Sequence, residues 1–205
     1  MPVSTVAPPK QRTLYIFAGP NGSGKSTIFA GAASALPDAA VIVNADVAGQ
    51  MLQRQRSESQ LGAQTQWDAA HFAETLRYYL VECRVSFAIE TVLSDFDRWR
   101  RLFEHAISSG YTLSLVFVTT SDPKINVARV ARRVASGGHD VPADKIVSRY
   151  LKTMQISLPA ILPMCSDAIL FDNTGEEAVV VARKRVGRQL EILRPDCSWV
   201  AQLKP

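Results

Sequence analysis

The chain has 205 residues, of which 47% are hydrophobic and 20% charged, ordinary globular usage that excludes disordered and fibrous classes. Twenty-three basic against 19 acidic residues give a formal net charge of +4, without a long basic block of the kind that marks a nucleic-acid arm. No apolar run approaches the roughly 18 residues needed to span a bilayer.

The first twelve residues lack an apolar signal-peptide core and read as a polar, proline-containing tail. Cys83, Cys165 and Cys197 are widely spaced and without CxxC pairing. They read as reduced thiols, and the chain as a cytoplasmic protein with no membrane contact.

From residue 13 onward, strand and helix signals alternate. Thr13 to Ala18 is an apolar strand that runs into a glycine loop, and Ser26 to Leu36 is helix-compatible up to Pro37. Ala40 to Val43 reads as a second strand, Trp67 to Cys83 as a helix, and Val85 to Ile89 as a third strand. Phe96, Trp99, Leu102, Phe103, Ala106 and Ile107 give an amphipathic helix, with Ser94 and Asp97 resembling its cap and Gly110 its stop. Leu113 to Val118 is a fourth strand, followed by Asp122-Pro123 as a helix start. That helix breaks at Gly137-Gly138. Pro142 opens another, expected to end before Pro159 or Pro163. Ala168 to Phe171 is a fifth strand, and Ala178 to Arg183 with Gln189 to Leu193 reads as a hairpin appended to the sheet. Apolar strands alternating with helices predict an α/β fold: about five parallel strands, helices on both faces, and a small C-terminal hairpin. The expected organisation is a tail over 1–12, one domain over 13–175, and a hairpin and tail over 176–205 packed on it.

The sharpest signal is Gly19-Pro20-Asn21-Gly22-Ser23-Gly24-Lys25-Ser26, followed by Thr27. It fits the P-loop NTPase pattern GxxxxGK[ST] at every fixed position, between a strand and a helix. In such a loop successive backbone N–H groups curl around phosphate oxygens and the helix N-terminus adds partial positive charge. Gly19 to Thr27 are therefore the expected ATP-binding residues. Lys25 would reach the β- and γ-phosphates, and the Ser26 hydroxyl would hold Mg²⁺. No NKxD-type base-recognition stretch is present, which argues against a GTPase. The Leu115 to Val118 strand ends in Thr119-Thr120 where a motor ATPase would carry an acid.

Acidic residues do follow two other strands, Asp46 after VIVNA and Glu90 after SFAI. Ligands of open α/β sheets bind outside the carboxyl ends of the strands. There a carboxylate can accept a proton from an acceptor hydroxyl or hold water on a metal. Asp46 also fits a helix N-cap and Glu90 an ion pair at a sheet end. Downstream, Arg129 and Arg133 share a helix face, and Arg133 and Arg149 flank the Gly137-Gly138 hinge. Such arginines can close over a triphosphate and neutralise charge on the transferring group; a solvated arginine face is the alternative.

These stretches, LYIFAGPNGSGKST, VNAD, FAIETVLS, RVASGGHDVP, SRY and FDN, together resemble the zeta-toxin family of phosphotransferases, over about Thr13 to Gly175. The resemblance implies a nucleotide-kinase-like sheet, ATP and Mg²⁺, an antitoxin protein as partner, and UDP-N-acetylglucosamine as acceptor, phosphorylated on a sugar hydroxyl. By motif it implies Asp46 as general base, Lys25 as the phosphate-loop lysine, and Arg133 and Arg149 as lid arginines. Glu90 and Thr91 would be the substrate-side carboxylate and hydroxyl, and Asn173 would lie near the adenine. The expected function is thus an ATP-dependent kinase acting on a hydroxyl of a small molecule. A polynucleotide or nucleoside kinase, and an ATP-binding switch with slow hydrolysis, are the alternatives.

Overall fold

A run of β-formers with side chains alternating between faces, RTLYIFA, builds β1 (Arg12–Ala18) in the middle of the parallel strands of the sheet. The computed structural model describes residues 11–32, 41–44, 48–49, 63–138 and 140–203. Residues 1–10 of the expected 1–12 tail and the candidate base Asp46 lie outside them, and Arg12, assigned to that tail, instead opens β1. The remaining strands are β2 (Val41–Val43), β3 (Phe87–Thr91), β4 (Tyr111–Thr119), β5 (Asp167–Asp172), β6 (Val179–Lys184) and β7 (Glu191–Ile192). They form one seven-stranded sheet in the order β2-β3-β1-β4-β5-β6-β7. The first five in that order are parallel, and β6 and β7 add antiparallel pairs. The expected hairpin is therefore continuous with the main sheet.

From β1 the described chain builds outward on both sides, to β3 and β2 on one and to β4 and β5 on the other. The carboxyl end of β1 is thus flanked by the ends of β3 and β4: Ala18 pairs with Thr91 and with Phe117. This is the place where open α/β sheets hold ligands.

Helices cover both faces. Leu14, Ile16 and Ala18 of β1 join Leu113, Leu115 and Phe117 of β4 in the main core. That core takes in Leu80 and Val81 from α2 (Ala63–Glu82) and Leu102, Phe103 and Ala106 from α3 (Phe96–Ser108). On the other face Phe17 packs against Phe29 of α1 (Lys25–Ala32), with ring centroids 4.3 Å apart. Burying each of these phenylalanines contributes about 1.5–3 kcal/mol. Between α2 and α3, the guanidinium of Arg77 lies over the Trp99 ring, 4.7 Å from its centroid. Burial first, then the positive charge of Arg98, brings its pKa down to about 10.

Two helix boundaries differ from the sequence reading. Asp95, rather than Ser94, caps α3, its carboxylate accepting the Arg98 N–H at 3.4 Å. The second is the helix opened by Pro142, which passes the first of its two expected limits, Pro159, and ends its last α-helical turn at Ile161, ahead of the second, Pro163. After α4 (Pro123–Ala135) comes α5 (Ala143–Lys152), which does not stop before Pro159. It widens into a π-helical turn, Thr153–Ser157, and continues as α6 (Leu158–Ile161) and a 3₁₀ turn, Leu162–Met164. Proline lacks an N–H and crowds the carbonyl four residues back, and a π turn immediately before it relieves both constraints.

Among the described residues, no helix is long and apolar enough to cross a membrane.

Candidate active site

The phosphate loop leaves β1 at Gly19 and enters α1 at Lys25. Its curl needs left-handed backbone at Gly22 (φ +74°) and Gly24 (φ +88°). Neighbours crowd both positions: a Cβ on Gly22 would lie 2.6 Å from the Asn126 carbonyl oxygen, and one on Gly24 2.2 Å from Asn173 Nδ2. The motif's glycines are set by tertiary contacts as well as by the turn.

Two asparagine amides hold the loop from outside. Asn126, in the first turns of α4 and fully buried, donates to the Asn21 carbonyl at 2.6 Å. Its own oxygen accepts the Thr120 hydroxyl. Tyr150 of α5 donates to the Thr120 carbonyl at 2.6 Å, so a chain of polar contacts joins α5 to the loop. From the far side Asn173, directly after β5, donates to the Ser23 carbonyl at 2.7 Å. Asp172 beside it accepts from the Trp199 indole at 2.6 Å, which ties the C-terminal segment to the same corner. Burial raises the Asp172 pKa, but the bonds from Thr174, Trp199 and Cys197 outweigh it, and the net shift is downward.

At the head of α1, Ser26 Oγ donates to Glu90 Oε1 at 2.5 Å. Lys25 Nζ stands 3.9 Å from the same oxygen, and Asn44 Nδ2, just past β2, donates to the other at 3.3 Å. The Lys25 and Glu90 side chains are only 12% and 13% exposed. Two strand ends, those of β2 and β3, and one helix start thus meet at a single carboxylate. Within the loop, Asn21 Oδ1 and Ser23 Oγ are buried with no hydrogen-bond partner among the described residues. Buried polar atoms are normally paired, so these two fit a loop shaped around a polar guest. Ser26 and Glu90 supply the hydroxyl and carboxylate that a magnesium ion beside phosphates uses.

The structure brings Lys25, Ser26 and Glu90 together, with Asn173 bonded to the phosphate loop from the far side. Thr91 sits 8% exposed, its hydroxyl accepting the Leu93 N–H at 2.9 Å in a turn where Leu93 has φ +60°. Arg133 is exposed in the last turn of α4, a turn ahead of Gly137-Gly138. Arg149 lies on α5 beside Ser94, Asp95 and Asp97, in a cleft adjoining the end of β3. Sequence reasoning missed Asn126 as a site residue, because an asparagine in an amphipathic helix carries no local signal. Asn44 stood within the quoted VNAD stretch but was not singled out.

Solved structures share this architecture. The AvrRxo1-ORF1:-ORF2 complex with ATP superposes with a TM-score of 0.70 at 18% identity over 91% of this chain, which spans 62% of that one. The PezAT chromosomal toxin-antitoxin system of Streptococcus pneumoniae gives 0.61 at 15% identity, covering 85% of this chain and 72% of that one. An uncharacterized protein of Haemophilus influenzae is 26% identical over 140 residues, 68% of this chain and 94% of its own length. The family model described as Zeta toxin matches residues 3–175, most of the chain, and this protein belongs to the zeta toxin family.

Proposed function

We propose that the protein is an ATP-dependent phosphotransferase that moves the γ-phosphate of ATP to a hydroxyl of a small molecule, a UDP-sugar such as UDP-N-acetylglucosamine. The observation that carries this reading is the convergence of Lys25, Ser26 and Glu90 at the mouth of a phosphate loop whose buried Asn21 and Ser23 side-chain oxygens have no partner among the described residues. Family membership supports it, as does a fold shared with the ATP-bound AvrRxo1-ORF1:-ORF2 complex and the PezAT toxin-antitoxin system.

In the proposed reaction the acceptor oxygen attacks the γ-phosphorus. The bond from that phosphorus to the bridging oxygen breaks, and ADP leaves with the bond's electron pair. The acceptor proton passes to a carboxylate, which the sequence pattern assigns to Asp46 after β2. Lys25 and the loop N–H groups stabilise charge on the phosphate oxygens, and Arg133 closes from the hinge side. Ser26 and Glu90 would hold Mg²⁺, which when bound neutralises phosphate charge.

The test is transfer from γ-labelled ATP over a panel of UDP-sugars, nucleosides and RNA ends, with wild type beside Lys25→Ala and Asp46→Ala. Label on a UDP-sugar, lost in both variants, is the expected result. Label on RNA ends alone would place the activity in nucleic-acid processing. Full transfer by Asp46→Ala would sink its assignment as base. If labelled phosphate reached only water, the protein would be an ATPase switch, and an antitoxin-like partner the next thing to seek.

A further inference from the structure

A cleft of about 500 Å³ opens between the start of α3 and one face of α5. It adjoins the phosphate-loop site: the Thr153 hydroxyl donates at 2.9 Å to the Val92 carbonyl, two residues beyond Glu90, and so holds the π turn against the segment leaving β3. Its two walls carry opposite charge. Asp95 and Asp97 stand on the α3 side; Lys145, Arg149 and Lys152, at helical spacings of four and three, stand on the α5 side.

Ser157, the last residue of the π-helical turn, also lines the cleft. Its side chain is buried, 1% exposed, yet its hydroxyl has no hydrogen-bond partner among the described residues. A helical serine ordinarily bonds back to a carbonyl of the preceding turn. Leaving that hydroxyl unmatched costs stability, a cost that a ligand in the cleft would offset. π turns recur at functional sites because they re-aim side chains.

Resting on the phosphotransferase reading, we propose that this cleft is the acceptor pocket and selects a hydroxylated molecule bearing a phosphate or carboxylate. The anionic group lies on Lys145, Arg149 and Lys152, and the hydroxyls face Asp95, Asp97 and Ser157. Arg149 then serves the acceptor, and the arginine that closes on ATP is Arg133. The opposed walls give orientation: a ligand reversed in the cleft would set its anion against two carboxylates.

The test is calorimetric titration of the full chain, without ATP, using glucose 6-phosphate, gluconate and UDP-N-acetylglucosamine against neutral glucose and N-acetylglucosamine. At least one anionic probe should bind about tenfold or more tightly than its neutral counterpart, in keeping with a charge-assisted hydrogen bond. Lys152→Glu and Arg149→Ala should each weaken that probe by about tenfold or more. Lys152→Glu should leave ATP affinity in place. Ser157→Ala should also weaken the probe while the thermal midpoint holds or rises, since removing an unpaired buried hydroxyl does not destabilise. No preference for anions, or unchanged affinity in these variants, overturns the proposal. Transfer assays on the same proteins separate it from the enzyme reading. Cleft binding without any transfer defeats the kinase assignment alone; transfer with acceptor KM unaltered by Lys152→Glu defeats the cleft alone.

Discussion

Ser26 and Glu90, 64 positions apart in the chain, meet hydroxyl to carboxylate at 2.5 Å. The contact places the acid that ends β3 on the residue that follows the phosphate-loop lysine. Lys25 and Asn44 close on the same carboxylate, so its negative charge is matched before any substrate arrives.

Replacing that charge should separate chemistry from folding. Glu90→Gln keeps the shape and one of the two accepting oxygens but removes the charge facing Lys25. Transfer is expected to fall by about 100-fold or more, the scale of losing a preorganised electrostatic group. The denaturation midpoint should move little. A steady-state assay beside a urea titration decides it, and a variant with wild-type transfer would reduce Glu90 to an ion pair at the sheet end.

Gly24→Ala should damage the loop without touching its chemistry. The added Cβ meets the Asn173 amide and must also occupy φ +88°. Strain at a left-handed position costs about 1–3 kcal/mol, and the Asn173–Ser23 contact must part. Both the folding midpoint and the affinity for a fluorescent ATP analogue should drop. Asn173→Ala combined with Gly24→Ala should recover part of the stability, because the clashing amide is gone.

Asn126→Ala should leave the Asn21 carbonyl without its donor, while the Thr120 hydroxyl turns to its other acceptor, the Asp122 carbonyl at 3.1 Å. A buried polar group left without a partner costs about 1–3 kcal/mol. Chemical denaturation should report the loss, and nucleotide affinity should fall with it as the loop loosens. An Asn126→Asp variant that matched wild type would show that the donated hydrogen bond is unimportant, since aspartate offers the acceptor but no donor there.

The three thiols should differ in reactivity and in pH dependence. Cys83 is exposed and should react with a thiol reagent at once, Cys197 more slowly, and Cys165 only on unfolding. Burial pushes the Cys165 pKa up to about 12 from its ordinary value of 9.0. The thiol is neutral in both states below the unfolded value, so it adds no pH dependence there. As pH rises between the two values the unfolded chain ionises and the folded one does not, and stability falls by about 1.4 kcal/mol per unit. Cys165→Ala should flatten the alkaline limb of a stability–pH curve, at the expense of a core cavity.

The strands were legible because each is a short apolar run punctuated by glycine, proline or a polar turn, and the cores of β1 and β3 to β5 fall where that pattern puts them. The π turn was not. A proline in a helix reads as a stop, and its accommodation in the turn before it depends on how Thr153 and Ser157 pack. The caps shifted by one residue at α3 because Ser94 and Asp95 are both good caps, and only backbone direction chooses between them.

Local order in the chain determined the strand–loop–helix unit, the phosphate-loop residues, the alternation that makes a parallel sheet and the family to which the protein belongs. All of these rest on neighbours within a few positions. Tertiary structure alone decided which carboxylate meets Ser26, that Asn126 and Asn173 hold the loop from 105 and 150 positions away, and that Arg149 faces a cleft beside α3. Such contacts depend on strand order and helix packing across the whole sheet. A residue's type shows what bonds it can make; only the fold determines which partner is within 3 Å.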